Sequence, residues 1–380
     1  MWVAWLLGTV ACLIATHLGS SPRVPVLLWT APWVISAVAL SFEVSRDAER
    51  DMMVVSSIFM ILFYFSSRAL GLFFIFEAAG LPLLLSIFLV GRQPQKIEAA
   101  KYILFYIAFT ALPLLYAVAA AHLTTAQIFS ALGLLSVVPF LAKIPAYLLH
   151  AWLPKAHVEA STPGRMVLAG RVIKLGSFGI LNWCVRPGGR SLGCAVVGLG
   201  VVLVASALLR RADIKTLVAY SRVLHMAVGI VAWVCSSVRG WYGVLFSNVA
   251  HTILRPIIFL GVSVFYSTQG NRDRSTMRGW IRWSFASILL VFVFLVNGGI
   301  PPAFLSGCEI LMCVGRVTSI GCLIVVSVGI FVSGLWTLIL SADQGRRPVK
   351  YTTWGNPGPI LASGLLSSLI PLLLVLFVAL

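Results

Sequence analysis

Six titratable residues stand inside long apolar stretches of this chain: Glu77, Lys143, Lys174, His225, His251 and Glu309. Carboxylate, ammonium and imidazole groups take up or release a proton near neutrality once burial and neighbouring charge have moved their affinities. Glu77 lies in LGLFFIFEAAGLPLLL with nothing polar within a helical turn, so it needs a partner on another helix or a proton of its own. The plainer alternative is a structural ion pair. Lys143 lies in LLSVVPFLAKIPAYLLH, two residues before Pro145, which cannot continue regular helical hydrogen bonding. The break frees backbone polar groups, and a lysine beside it is either an ion or proton site or a donor that solvates them. Lys174, in GRVIKLGSFGIL, is a second embedded lysine, with Gly176 and Gly179 allowing close helix approach and snorkelling as its alternative.

His225 in AYSRVLHMAVGI and His251 in FSNVAHTILRPIIF suit a proton wire, because neutral imidazole donates at one nitrogen and accepts at the other. Each could equally be a hydrogen-bonded packing residue. Glu309 ends a second interruption, NGGIPPAFLSGCEI, seven residues beyond Pro302 and therefore on a similar helix face. Its alternative role is as partner to a neighbouring arginine. Arg165, Arg171, Arg222 and Arg255 are also embedded. Arginine stays protonated, so it can bias a proton path without relaying the proton.

The elements that must position these groups follow from composition. The 380 residues are 60% hydrophobic and only 10% charged, and their mean hydropathy is +1.00. Soluble domains carry about 25% charged residues, so a soluble enzyme is excluded. A nucleic-acid binder is excluded as well, despite a net charge of +17, because a basic footprint needs a polar surface. Apolar runs of about 20 residues predict membrane-spanning helices. Boundaries of charge, Pro and Gly place thirteen of them near 2–18, 25–42, 52–67, 69–90, 99–120, 126–152, 162–184, 191–209, 214–236, 240–266, 280–315, 318–341 and 357–380. Sixteen basic residues then fall in loops after even-numbered spans or at the span edges beside them, with Lys96, Lys101 and Lys215 assigned to those loops, and six in loops after odd-numbered spans. The positive-inside rule puts the N-terminus and the even loops on the cytoplasmic or matrix side. Arg165, near a span end, is expected to snorkel.

The fold class is therefore all-α, a polytopic membrane protein forming a single transmembrane domain over residues 1–380. The Pro-interrupted spans, the sixth and the eleventh, stand five apart, and an odd offset inverts membrane orientation. Inverted repeats with discontinuous helices at the ion site are a transporter signature. The opening MWVAWLLGTVACLIATHLGSS has no basic region before its apolar run and reads as a first span, not a cleaved signal; the final apolar run leaves no soluble tail. The seven cysteines form no C-x-x-C and read as buried small hydrophobes. No dinucleotide fingerprint, phosphate-binding loop or metal-ligand spacing occurs, so the chain is expected to bind no cofactor and no metal, and to run no redox chemistry itself.

The stretch from Leu141 to Gly179, with its core HAWLPKAHVEA, closely resembles chain 4 of NADH:ubiquinone oxidoreductase, respiratory complex I. FEAAGLP around Glu77, RADIKTLVAYSRVLHMAVGI around His225, the AH pair at His251 and the IPP-to-Glu309 run match too, so the resemblance extends over residues 69–315. It implies an antiporter-like membrane-arm subunit, mitochondrially encoded and shortened at its N-terminus, in the mitochondrial inner membrane. That subunit moves protons while FMN, iron–sulfur clusters and ubiquinone work elsewhere in the complex. Its partners would be other membrane-arm subunits, including sibling antiporter-like chains, and lipids such as cardiolipin; nucleic acid would not be among them. By motif position, Glu77 and Lys143 would form the glutamate–lysine pair of the input half and Lys174 the central relay. His225 and His251 would line the connecting axis, and Glu309 would be the terminal glutamate. Two readings stand beside it: a cation/proton antiporter subunit of Mrp type, and a structural subunit that has lost pumping. Ser161 departs from the proline this family places after HVEA, and the four embedded arginines depart from its small, polar or apolar residues. Neutralisation by partner subunits or lipid is one expectation for those arginines.

Overall fold

The computed structural model describes residues 47–65, 69–91, 94–123, 137–183, 190–235, 238–277, 285–300, 303–314 and 320–345. The expected spans at 2–18, 25–42 and 357–380, and the pair Pro301–Pro302, lie outside the described residues. Regular structure among the described residues is helical. The helices are α1 (Asp47–Phe65), α2 (Ala69–Ala78), α3 (Leu81–Val90), α4 (Lys96–Leu123), α5 (described over 137–143), α6 (Trp152–Glu159) and α7 (Thr162–Val167). A π-helical turn, Leu168–Val172, runs into α8 (Ile173–Trp183). Then come α9 (Arg190–Leu209), α10 (Ile214–Cys235), α11 (Val238–Gln269), α12 (Phe285–Asn297), α13 (Phe304–Val314) and α14 (Ile320–Gly345).

Five described stretches are long and apolar enough to cross a membrane: Phe73–Val90, Lys96–Ala119, Ile214–Val234, Tyr242–Ser267 and Cys322–Asp343. Their burial separates inner from outer helices. The α10 stretch is 89% buried inside the protein and the α4 stretch 22%. Large apolar side chains such as Phe105, Leu112 and Phe331 stand exposed on the outer helices, where hydrocarbon is a suitable solvent for them. Helix α11 packs against α13, α10, α12 and the α7–π segment, and α10 against α9 and α14. The two helices carrying the histidines therefore occupy the centre.

Several boundaries differ from expectation. The stretch 69–90 is two helices, not one, interrupted at Ala79–Gly80. Pro82 lacks an amide proton and crowds the carbonyl four residues back, that of Ala78, so α2 ends there and leaves Glu77 in its last turn. The expected span 126–152 is helical only to Lys143 in its described part; the backbone from 144 to 151 is turn and coil. Its freed carbonyls find donors: Phe140 O accepts from Ile144 N at 2.8 Å, Leu141 O from Ala146 N at 3.0 Å, and Ala142 O from the Trp152 indole at 3.0 Å. Lys96, Lys101 and Lys215 were expected in loops but sit on helices, and Lys215 is buried with its ammonium 3.9 Å over the Tyr266 ring. The aliphatic stem of a lysine packs as well as a hydrocarbon chain, so a charge count alone places a helix end too late.

Candidate functional site

The six candidate residues gather into two groups. Glu77 and Lys143 form the first. Lys143 Nζ donates to the Phe76 carbonyl and lies 3.4 Å from the centroid of the Phe76 ring. That carbonyl belongs to the last turn of α2, whose final acceptors lack helical partners. A cation there also meets the negative end of the helix dipole. Lys143 thus caps α2 one residue before the carboxylate it was expected to pair with. The carboxylate is close enough to act on it electrostatically, yet both Glu77 oxygens lack a hydrogen-bond partner. A cavity of about 20 Å³ adjoins Lys143, lined also by Gly80, Tyr106, Thr110 and Trp152. That is room for about one water.

The second group is built from α8, α10, α11 and α13. Lys174 is 2% exposed, which removes the snorkelling alternative. Its Nζ donates to Asn248 Oδ1 at 2.7 Å and lies 3.9 Å from Met226 Sδ. Ser177 Oγ donates to the same amide oxygen at 3.1 Å, while Asn248 Nδ2 donates to the Val244 carbonyl at 3.0 Å. The amide is thereby held in one orientation with its oxygen towards the lysine. His225 and His251 meet edge to face, ring centroids 4.5 Å apart. His225 Nδ1 lies 3.9 Å from Glu309 Oε1. Among the described residues the ion-pair partner of Glu309 is therefore a histidine and not an arginine. A second cavity of about 20 Å³ is lined by Ser177, His225, Met226, Ser247 and Asn248 and by Ile144, the residue after Lys143.

Glycines decide how closely these helices approach. A side-chain carbon on Gly176 would lie 2.8 Å from the Phe140 carbonyl, and one on Gly179 would collide with the Phe140 ring. The α8 helix with Lys174 can lie against the Lys143 helix only because both positions are bare. Gly299 has φ +68° in the turn between α12 and α13, and a side chain there would run into the Glu309 carboxylate.

Sequence reasoning missed Asn248 and Ser177. A signal for Asn248 existed: Asn248, His251, Thr252 and Arg255 recur at the i, i+3, i+4, i+7 spacing of one helix face in an otherwise apolar run. The arginine expectations need correcting. Arg165 does not snorkel; it is 8% exposed, within electrostatic reach of Arg272, Glu159 and Asp213. Arg171, Arg222 and Arg255 are each 1% exposed within this chain, so neither lipid nor a neighbouring subunit reaches them. Arg222 Nη2 donates to the Ala169 carbonyl inside the π turn, where the widened ladder leaves an acceptor free. Cys308 and Cys322 are buried. Outside the spans, Lys155 donates to Glu98 at 2.7 Å, and that carboxylate raises the ammonium's proton affinity.

Residues 66–333 match the transmembrane family described as NADH:quinone oxidoreductase/Mrp antiporter. NADH-ubiquinone oxidoreductase chain 4 of Paracentrotus lividus is 30% identical over 321 residues, 77% of this chain and 69% of that one. The chain 4 protein of Polypterus ornatipinnis is 29% identical over 316 residues, 76% of this chain and 69% of that one. A chain of respiratory complex I from Thermus thermophilus with bound Aureothin superposes with a TM-score of 0.82 at 19% identity, covering 100% of this chain and 91% of that one. A chain of the membrane-bound sulfane sulfur reductase, an archaeal respiratory membrane complex, also reaches 0.82, at 16% identity, covering 99% of this chain and 88% of that one. This chain belongs to the NADH:quinone oxidoreductase/Mrp antiporter family of transmembrane proteins.

Proposed function

We propose that this chain is the chain 4 type, proton-translocating subunit of the membrane arm of a respiratory complex I. The observation that carries the reading is one buried group, Lys174, His225, His251 and Glu309, assembled from four helices and adjoining a cavity also lined by Ile144, the residue after Lys143. Ionisable groups buried at membrane depth are costly and mark ion pathways. In this mechanism a charge change at Glu77 alters the field on Lys143 and, through it, on Lys174. The proton of Lys174 moves to the histidines, and Glu309 passes it out. Redox chemistry stays with FMN, iron–sulfur clusters and ubiquinone in other subunits.

On this reading the chain is a single transmembrane domain of about thirteen helices, with inverted repeats whose sixth and eleventh members are broken at proline. It sits in the mitochondrial inner membrane among the other membrane-arm subunits, with lipid, cardiolipin included, against the apolar faces of α4 and α14. The test is Lys143→Ala in the intact complex. Proton pumping per NADH oxidised should fall with assembly unchanged; undiminished stoichiometry would refute the proposal. The family description also admits an Mrp-type antiporter, which exchanges sodium for protons in vesicles free of any redox enzyme. Such exchange by the purified chain would favour that reading. The four buried arginines keep a third reading in view, a structural subunit without pumping. Loss of complex stability in Lys143→Ala with unchanged pumping in the surviving complexes would favour it.

A further inference from the structure

Arg222 and Arg255 are buried cations without a counter-charge. Each is 1% exposed, and Lys174, 2% exposed, lies within their electrostatic reach. They act on each other as like charges, and no carboxylate among the described residues acts on either. The chain has eleven acids in all, and those nearest are committed elsewhere. Glu159 and Asp213 face Arg165 and Lys215, Glu309 faces His225, Glu77 faces Lys143, and Asp343 holds Arg274.

The hydrogen bonding is equally incomplete. Arg222 spends one nitrogen on the Ala169 carbonyl and leaves Nε and Nη1 without acceptors. Arg255 spends Nη1 on Ser221 Oγ at 2.6 Å, and its Nε has no acceptor. His157, fully buried and stacked on Phe259 at 4.4 Å between centroids, lies within reach of both arginines, and neither of its nitrogens has a partner. A buried charge left without a compensating partner is strongly destabilising. Arginine does not escape that cost by losing its proton. What the site lacks is an acceptor carrying negative charge. Burial excludes a carboxylate from another subunit or a lipid headgroup.

We propose that Arg222 and Arg255, with His157 beside them, hold a small inorganic anion of the halide class, chloride being the physiological member. The site's unpaired guanidinium nitrogens, Arg222 Nε and Nη1 and Arg255 Nε, can only donate, which suits an anion and repels a cation. It stands or falls apart from proton translocation, because it concerns how the folded chain neutralises itself. An anion that binds only the folded state stabilises it by mass action.

The test uses the full-length chain in detergent, unfolded by heat at constant ionic strength in potassium chloride, potassium bromide or potassium gluconate. The wild type should unfold several degrees higher in chloride and bromide than in gluconate. Arg222→Gln/Arg255→Gln should lose that difference, because generic salt effects are common to both proteins. Equal midpoints in all three salts for the wild type, or a halide effect of full size in the double variant, overturn the proposal. If the variant does not fold, a bromide anomalous map of the wild type decides. A peak between the two guanidinium groups supports the site, and a map without one overturns it.

Discussion

His225 and Glu309 face each other across α10 and α13 with Nδ1 3.9 Å from Oε1. That separation is too long for a hydrogen bond. It is short enough for one water or one rotamer change to close. His251 meets the same imidazole edge to face, 4.5 Å between ring centroids. The two described spans with the greatest burial thus bring the histidines together and one of them, His225, to the carboxylate. The carboxylate lies against the turn at Gly299.

Gly299 combines a left-handed backbone with a close approach to the Glu309 carboxylate. Its φ of +68° costs an ordinary L residue about 1–2 kcal/mol, and a methyl group there would also displace the Glu309 carboxylate. Gly299→Ala should lower both thermal stability and proton translocation in the assembled complex. Thermal unfolding together with a pumping assay checks this, and a variant normal in both would show that Glu309 does not need its observed place.

Asn248 positions Lys174 without being titratable. Its oxygen accepts from Lys174 at 2.7 Å and from Ser177 at 3.1 Å. A hydrogen bond to a charged group contributes about 1.5–3 kcal/mol, so Asn248→Leu should slow proton translocation roughly tenfold or more. Asn248→Gln, which keeps the amide, should recover part of the rate. Rates of proton uptake in reconstituted vesicles measure it; equal rates in wild type and Asn248→Leu would remove Asn248 from the site.

Ser161 gains a physical account from the structure. Its hydroxyl caps α7 by accepting from the Gly164 amide at 3.1 Å and donates to Glu49. Ser161→Ala should cost about 1 kcal/mol of stability. Ser161→Pro should cost less, because its φ of −60° and the extended Ala160 before it already suit proline. Proline then regains about 0.4–1 kcal/mol through the unfolded chain. Thermal unfolding of both variants ranks them, and a Pro variant weaker than the Ala variant would contradict the backbone argument.

Read in one dimension, this chain already declares a helical membrane protein, because 60% apolar residues in runs of helical length leave no soluble alternative. It also declares which residues are embedded, since a lone Glu77 or Lys174 in such a run is visible without coordinates. Helical periodicity even marks the polar face of α11. What it cannot reveal is which embedded groups meet. Lys143 and Phe76 are 67 residues apart, and Lys174 and Asn248 are 74 apart; periodicity fixes the face of one helix but says nothing of the neighbour it turns towards. Packing made Lys143 cap the end of α2 beside Glu77, turned Asn248 to Lys174, and drew the arginines inside the chain instead of out to lipid. Those choices depend on bare glycines such as Gly176 and Gly179 and on the backbone acceptors left by a π turn and a helix end. Both are properties of helices in contact and not of any one helix alone.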